Sequence, residues 1–445
     1  MKKIKVLTIV IAVFLVFVSC GIVFADSAGA NSEVIRTCTL RDGVIIAVHY
    51  DPIILRQSHA SPKVYAEMIL SYSAQAYNEI VYRQGFDTPG FTFANPDKNY
   101  CYDKDGTVDI YILENGKAKD APCYDIIKRE GRGYDACVRF PADYKSYLRS
   151  SGAANISMAG ITRKIKGSLF HEMSHVILYS YNKNIESWYV HTAGYSSHQG
   201  GDWYVEGLAR YFETIGDSYE NFFSKGFNKK NGKKIVLSQE GVNYLMAHPS
   251  ESLKEARYDY SLFWAYLHDK YGMAKVEEIS RKLRFISAAN MNEELPAIIS
   301  DVLKEEMGDL LKDFAMTMYL KEFNRSIKNG LDTLKIASPE DFSDSINIGL
   351  SSWSSNFIKL DLNKKGMPNI VTVKKTKNGK KVSMTALACL NNGSISKVRE
   401  IALDSPEMVC KMNLKEMKKM GVKELTLIVT NGSADRNEIL EIGRY

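Results

Sequence analysis

His171-Glu172-Met173-Ser174-His175 decides how this chain is read. Residues four apart on a helix share a face, so a helix here sets His171 beside His175 and leans Glu172 over the same spot. Two neutral imidazoles with an adjacent carboxylate are the donor set of a catalytic zinc site, the carboxylate serving as general base. The flanks fit a helix. Ile161, Ile165, Leu169 and the run Val176-Ile177-Leu178 supply an apolar stripe with no proline inside it, and Gly167 is its one weak point.

A structural zinc takes four protein ligands and a catalytic one three, so the third ligand sets the subclass. The metzincin continuation is excluded, because it needs Gly and His where Leu178 and Tyr181 stand. Further on, Asp202-Trp203-Tyr204-Val205-Glu206-Gly207-Leu208-Ala209-Arg210-Tyr211-Phe212-Glu213 reads as a second helix, whose Glu206 follows His175 by 31 residues. Glu206 is the expected third ligand, with Gly207 and Ala209 small enough for close helix packing. His191 and His198, in the connection between the two stretches, are its competitors for the metal or contacts for substrate. His49, His59 and His248 have no partner pattern.

Taken together, His171-Glu172-Met173-Ser174-His175 and Trp203-Tyr204-Val205-Glu206-Gly207-Leu208-Ala209 resemble the gluzincin metallopeptidases, the group holding thermolysin and the aminopeptidase N family. The resemblance covers roughly residues 171–272. It implies an α+β catalytic domain, a small mixed sheet packed on the active-site helix with a helical lower half behind it. It also implies zinc on His171, His175 and Glu206, Glu172 as general base, and a protein or peptide substrate. Gluzincins commonly draw an oxyanion donor from a Tyr or His on the helix after the Glu ligand. Arg257-Tyr258-Asp259-Tyr260-Ser261-Leu262-Phe263-Trp264-Ala265-Tyr266-Leu267 resembles that region, which makes Tyr258 the first candidate, Tyr260 the second and His268 the third.

Two departures from the family matter. The Gly-x-Met-x-Asn segment of the aminopeptidases is missing before His171, so an endopeptidase is expected rather than an aminopeptidase. Thermolysin-like enzymes place an Asp shortly after the Glu ligand to hold a zinc histidine, but Ala209 and Arg210 stand there. Glu213 or Asp202 is left for that role.

Four regions are expected. Residues 1–25 read as a signal peptide, with Lys2, Lys3 and Lys5, an apolar run from Val6 to Val18 and cleavage at Val23-Phe24-Ala25. This implies a secreted protein. The alternative is lipid anchoring through Cys20, since Phe17-Val18-Ser19-Cys20 loosely resembles a lipobox. Residues 26–60 form a strand-rich segment and residues 61–340 the peptidase domain. Within it, Ser61 to Arg83 has helical spacing at Val64, Met68, Ile69, Tyr72, Ala76 and Ile80. Asp103 to Leu113 reads as a tight turn feeding an alternating strand, and the resemblance to gluzincins implies that this strand forms the sheet edge lining the cleft, where a substrate backbone could pair. Asp103, Asp105 and Asp109 resemble the start of a calcium loop, but the distal Glu is absent and an ordinary turn is preferred. Helices follow at residues 275–283, 292–305 and 310–329. Residues 345–445 alternate, as in Phe357-Ile358-Lys359-Leu360 and Leu425-Thr426-Leu427-Ile428-Val429, and imply a C-terminal β-sandwich.

At 445 residues, 45% hydrophobic and 25% charged, the chain has material for a sizeable core. Its net charge of +6 is modest and its lysine pairs, such as Lys229-Lys230 and Lys380-Lys381, are scattered, which speaks against nucleic acid as a partner and leaves an anionic cell surface open. Removal of the leader leaves six of the seven cysteines. The close pairs Cys123 with Cys137 and Cys389 with Cys410 are the expected disulfides, with Cys38 and Cys101 as the third. Trp188, Tyr189, Tyr195 and Trp203 near the site are candidates for stacking on sugar rings of a glycoprotein substrate.

Overall fold

The computed structural model describes residues 23–28, 33–87, 107–114, 123–129, 133–150, 157–181, 202–216, 245–246, 248–253, 260–286, 290–323, 345–375, 382–403, 409–433 and 436–444. It combines helices with open sheets. The chain divides into two compact units, residues 1–197 with 212–221 and residues 198–211 with 222–445, so the division falls inside a single helix, Asp202–Ile215.

The first unit is built on a mixed sheet of β1 Val23–Ala28, β2 Val34–Thr39, β3 Ile45–Tyr50, β4 Thr107–Leu113, β5 Cys123–Arg129 and β6 Gly133–Pro141, in the order β1-β2-β3-β4-β6-β5. β3 with β4 and β4 with β6 run parallel, while the outer pairings are antiparallel. β4 is therefore an interior strand and not the edge that the gluzincin resemblance implied. Its residues Val108, Ile110 and Ile112 are buried, and parallel neighbours occupy the hydrogen-bonding groups on both its sides. The edge beside β6 is β5. Asp109, the third acid of the presumed calcium loop, accepts or shares a hydrogen bond with His49 Nε2 at 2.9 Å from within β4, and Asp103 and Asp105 lie outside the described residues.

Helices α1 Pro52–Arg56, α2 Pro62–Tyr77, α3 Tyr144–Ser150 and α4 Met158–Tyr181 complete this unit. α2 begins at Ser61-Pro62 as read, and continues through a π-helical turn, Asn78–Arg83. Its buried face runs through Tyr65, Ile69, Ala76 and Ile80, whereas Val64 is 61% exposed. Having a proline at its first position explains the clean start, because Pro62 has no N–H to leave unpaired. α2 lies against α4 and β3, and α4 against β5 and β6.

In the second unit, α5 Asp202–Ile215 is followed by α6 Ser261–Tyr271, α7 Met273–Lys282, α8 Met291–Leu303 and α9 Met307–Leu320. Trp203 and Trp264 stack with ring centroids 5.7 Å apart, and Trp264 Nε1 donates to the Trp203 carbonyl at 2.8 Å. Both indoles are fully buried, so Trp203 is core and does not meet a sugar. Trp188, Tyr189 and Tyr195 lie outside the described residues. α9 ends earlier than its sequence periodicity implies, at Lys321 in a left-handed conformation with φ of 55°.

The C-terminal strands are β7 Ser345–Leu350, β8 Ser354–Asp361, β9 Ile370–Lys375, β10 Val382–Leu390, β11 Ile395–Ala402, β12 Val409–Asn413, β13 Val422–Asn431 and β14 Glu438–Arg444, with a short helix α10 Leu414–Lys419. They form two antiparallel sheets, β11-β10-β13-β8 and β12-β9-β14-β7. Ile358, Leu360, Leu425, Leu427 and Val429 of the first and Val371, Val373, Leu440 and Ile442 of the second share one apolar core, as alternation along two facing sheets requires. The outer face of the first sheet packs on α9. Tyr319 stacks on Phe357 at 6.1 Å and its hydroxyl lies 2.8 Å from Thr426 Oγ1, which explains why β13 is buried on both faces. This module is fastened to the helices, not hung on a linker.

The expected disulfides are not formed among the described residues, which include Cys38, Cys137, Cys389 and Cys410. Cys410 belongs to the sandwich core, whereas Cys389 alternates with core residues Ala386 and Ala388 on β10 and so faces the other way. Closeness in sequence could not reveal that parity. On the sheet of the first unit, Cys137 pairs with Asp125 and Cys123 with Arg139, which puts the two cysteines on a diagonal rather than opposite one another. Burial pushes the Cys38 thiol up to about 12, leaving it protonated, and Cys101 lies outside the described residues. Of the stretch read as a leader, residues 23–25 enter β1, paired to β2, and residues 1–22 lie outside the described residues. Among the described residues no helix is long and apolar enough to cross a membrane.

Candidate metal centre

α4 is 24 residues long and presents His171 and His175 one turn apart, 7% and 3% exposed. Their rings meet edge to face with centroids 4.8 Å apart, and the two Nε2 atoms face each other at 3.1 Å. Two nitrogens bound to one tetrahedral zinc at ordinary bond lengths stand about 3.4 Å apart, so little movement brings this pair onto one ion. Ser174 Oγ donates to the His171 carbonyl at 2.6 Å, fastening the turn between them. Glu172 is 8% exposed, one residue along the same helix.

α5 brings the acids. Its apolar residues Val205, Leu208, Ala209 and Phe212 are buried, and this fixes the helix with Glu206 and Glu213 also turned inward, both 2% exposed. Glu213, in the part of α5 that belongs to the first unit, holds Oε1 2.9 Å from His171 Nδ1. Two turns earlier on the same helix stands Glu206, and ligand atoms of His171, His175 and Glu206 all lie within 4.8 Å of one another. These three residues form a buried group that could hold a metal ion.

The donor set suits one. Burying Glu172, Glu206 and Glu213 together is costly unless cations offset them, and a divalent ion among two ring nitrogens and a carboxylate does so. Glu213 places a carboxylate beside His171 Nδ1, on the side of the ring away from the Nε2 that faces His175. Sequence spacing left Glu213 and Asp202 level for this part, because i+7 and i−4 both share a helix face with Glu206. The 2.9 Å contact selects Glu213.

Glu213→Gln keeps shape but removes the charge behind His171, and the expected outcome is a loss of about 10–100-fold in zinc affinity with the fold intact. Competition titration with a chromogenic chelator reads it. Unchanged affinity would mean that Glu213 is a packing residue.

The remaining candidates are distributed as follows. Tyr258, His191 and His198 lie outside the described residues. Tyr260 is 3% exposed at the start of α6, its ring 6.3 Å from Phe314, as part of the aromatic core of the second unit. His268 faces Tyr211 of α5 through Nδ1, and burial lowers its pKa, favouring the neutral ring. That contact was not foreseen; it joins α5 to α6 from the side away in sequence, with no periodic signal to announce it. No family model matches the chain, and no curated protein matches it.

Proposed function

We propose that this chain is an exported zinc-dependent endopeptidase of the gluzincin kind, with His171, His175 and Glu206 as the metal ligands. The observation that carries the reading is the buried convergence of those three side chains beside Glu172, with Glu213 behind His171. A mixed sheet against the helix bearing both histidines, with helices following, supports a thermolysin-like catalytic domain. The zinc ion, when bound, supplies Lewis acidity toward a scissile carbonyl and toward water. Glu172 takes a proton from the attacking water and hands it to the departing amine. Tyr258 is the proposed oxyanion donor over Tyr260, whose ring is committed to core packing. β5, the sheet edge, is the strand to which an extended substrate would add.

A non-catalytic, glycan- or surface-binding protein on the same fold is the rival reading. It gives no reason for a buried acid at Glu172, and the fully buried Trp203 removes one of its stacking platforms.

Quenched casein and a peptide library test the proposal. The expected result is cleavage of internal bonds that stops on chelation and returns with stoichiometric zinc. Zinc-loaded protein that leaves every peptide intact, or cleavage indifferent to chelation, overturns it.

A further inference from the structure

Charge is unevenly divided along this chain. Residues 345–445 hold 17 Lys and Arg against 9 Asp and Glu, a net +8, while the whole chain carries +6 and the remainder therefore −2. Much of the excess gathers at one end of the sandwich. β8 starts at Ser354, next to Ser355 whose N–H donates to Pro249 O at 3.0 Å, and ends at Asp361, about 23 Å further on. At that far end three connections meet: residues 362–369 after β8, residues 391–394 between β10 and β11, and α10 with Met420 and Gly421 before β13. Main-chain bonds hold them together. Leu362 N donates to Lys423 O at 3.0 Å, Leu414 N to Asn369 O at 2.8 Å, and Asn391 N to Gly421 O at 2.9 Å.

The short helix shows why its lysines face outward. Leu414 and Met417, three apart, are buried in the sandwich core, which turns Lys415, Lys418 and Lys419 toward solvent. Lys364 and Lys365 stand exposed in the neighbouring connection, and Lys423 is half-buried at the start of β13. The acids at this end are engaged: Glu416 pairs with Lys419 at 2.9 Å, Asp361 accepts from Asn363 N at 2.9 Å, and Glu424 pairs with Lys359. Lys365, Lys415, Lys418 and Lys423 have no ion pair among the described residues. At the same end stand the two most exposed large apolar side chains of the described sandwich, Met420 at 68% and Ile395, the first residue of β11, at 48%. Lysines alone suit any polyanion, but lysines beside exposed apolar side chains suit a bilayer, whose headgroup phosphates meet the ammonium groups and whose acyl chains receive the apolar ones.

We propose that this end of the sandwich docks on an anionic lipid bilayer, with Lys365, Lys415, Lys418 and Lys423 at the headgroups and Met420 and Ile395 in the acyl boundary. The surface is separate from the metal centre and does not depend on peptidase activity. The bond to Pro249 lies at the opposite end of β8, so docking here leaves the segment that leads into α6 clear of the lipid.

Sedimentation of the full chain with vesicles tests this without recourse to turnover. Vesicles of phosphatidylglycerol and phosphatidylcholine are expected to carry the protein down at low salt and to release it in about 1 M salt, and vesicles of phosphatidylcholine alone to leave it in solution. Replacing Lys365, Lys415, Lys418 and Lys423 by Gln should weaken partitioning by about fivefold per lysine. Met420→Ser should weaken it by about tenfold with the salt dependence kept. Wild-type protein that ignores the anionic vesicles, or a lysine variant that binds them as wild type does, overturns the proposal. So does retention on long-chain polyphosphate together with a Met420→Ser variant that binds vesicles as tightly as wild type, which assigns the lysines to a water-borne polyanion instead.

Discussion

Glu172→Gln is expected to lower kcat by about 10²–10⁴-fold while the protein keeps one zinc per chain. Glutamine has the length and shape of glutamate, and position 172 sits inside a 24-residue helix with 8% exposure, so the backbone and both histidines stay where they are. What disappears is the carboxylate that, in the proposed mechanism, takes a proton from water and passes it to the leaving amine. Substrate affinity is expected to change little, because the acid works in the transition state rather than in ground-state binding. Metal analysis beside steady-state kinetics separates the outcomes. A variant that turns over at the wild-type rate removes Glu172 from the mechanism, and a variant that loses zinc makes it a structural residue of the site.

Glu206→Ala is expected to abolish stoichiometric zinc binding and all zinc-dependent turnover. Two ligands remain, both on α4, and the carboxylate that α5 contributes at 2% exposure leaves a void behind. Thermal unfolding gives a second readout. Metal that binds only the folded protein stabilises wild type by about 4 kcal/mol at a thousandfold excess over Kd, and the same addition should leave the variant unmoved. If Glu206→Ala holds zinc as tightly as wild type, another residue is the third ligand and His191 or His198 becomes the one to replace next.

Repeating elements were legible because they depend on local periodicity. The spacing of His171 and His175, the start of α2 at Ser61-Pro62, and the alternation through Leu425 to Val429 each follow from the geometry of one element and were read without knowledge of its neighbours. Edges and cross-links were not. β4 has the composition of a strand but nothing in it says that β3 and β6 lie on either side, and closeness in sequence suggests a Cys389–Cys410 pair although Cys410 lies in the sandwich core and Cys389 alternates away from it. Trp203 shows the same divide: an aromatic close in sequence to a candidate metal ligand serves equally well as platform or as core, and only its stack on Trp264 assigns it to the core.

The sequence by itself determined the zinc-like donor pattern of α4, the inward face of α5 and the change from helical to alternating periodicity before residue 345, since each is written within a few turns or one strand. Tertiary structure alone decided that Glu213 and not the arithmetic of spacing stands behind His171, that the outer face of the first sandwich sheet is closed by α9, and that Lys375 and Glu438 are buried 3.9 Å apart. Those are contacts between residues far apart along the chain. They are set by which surfaces bury one another, and burial is a property of the packed whole that no single stretch carries.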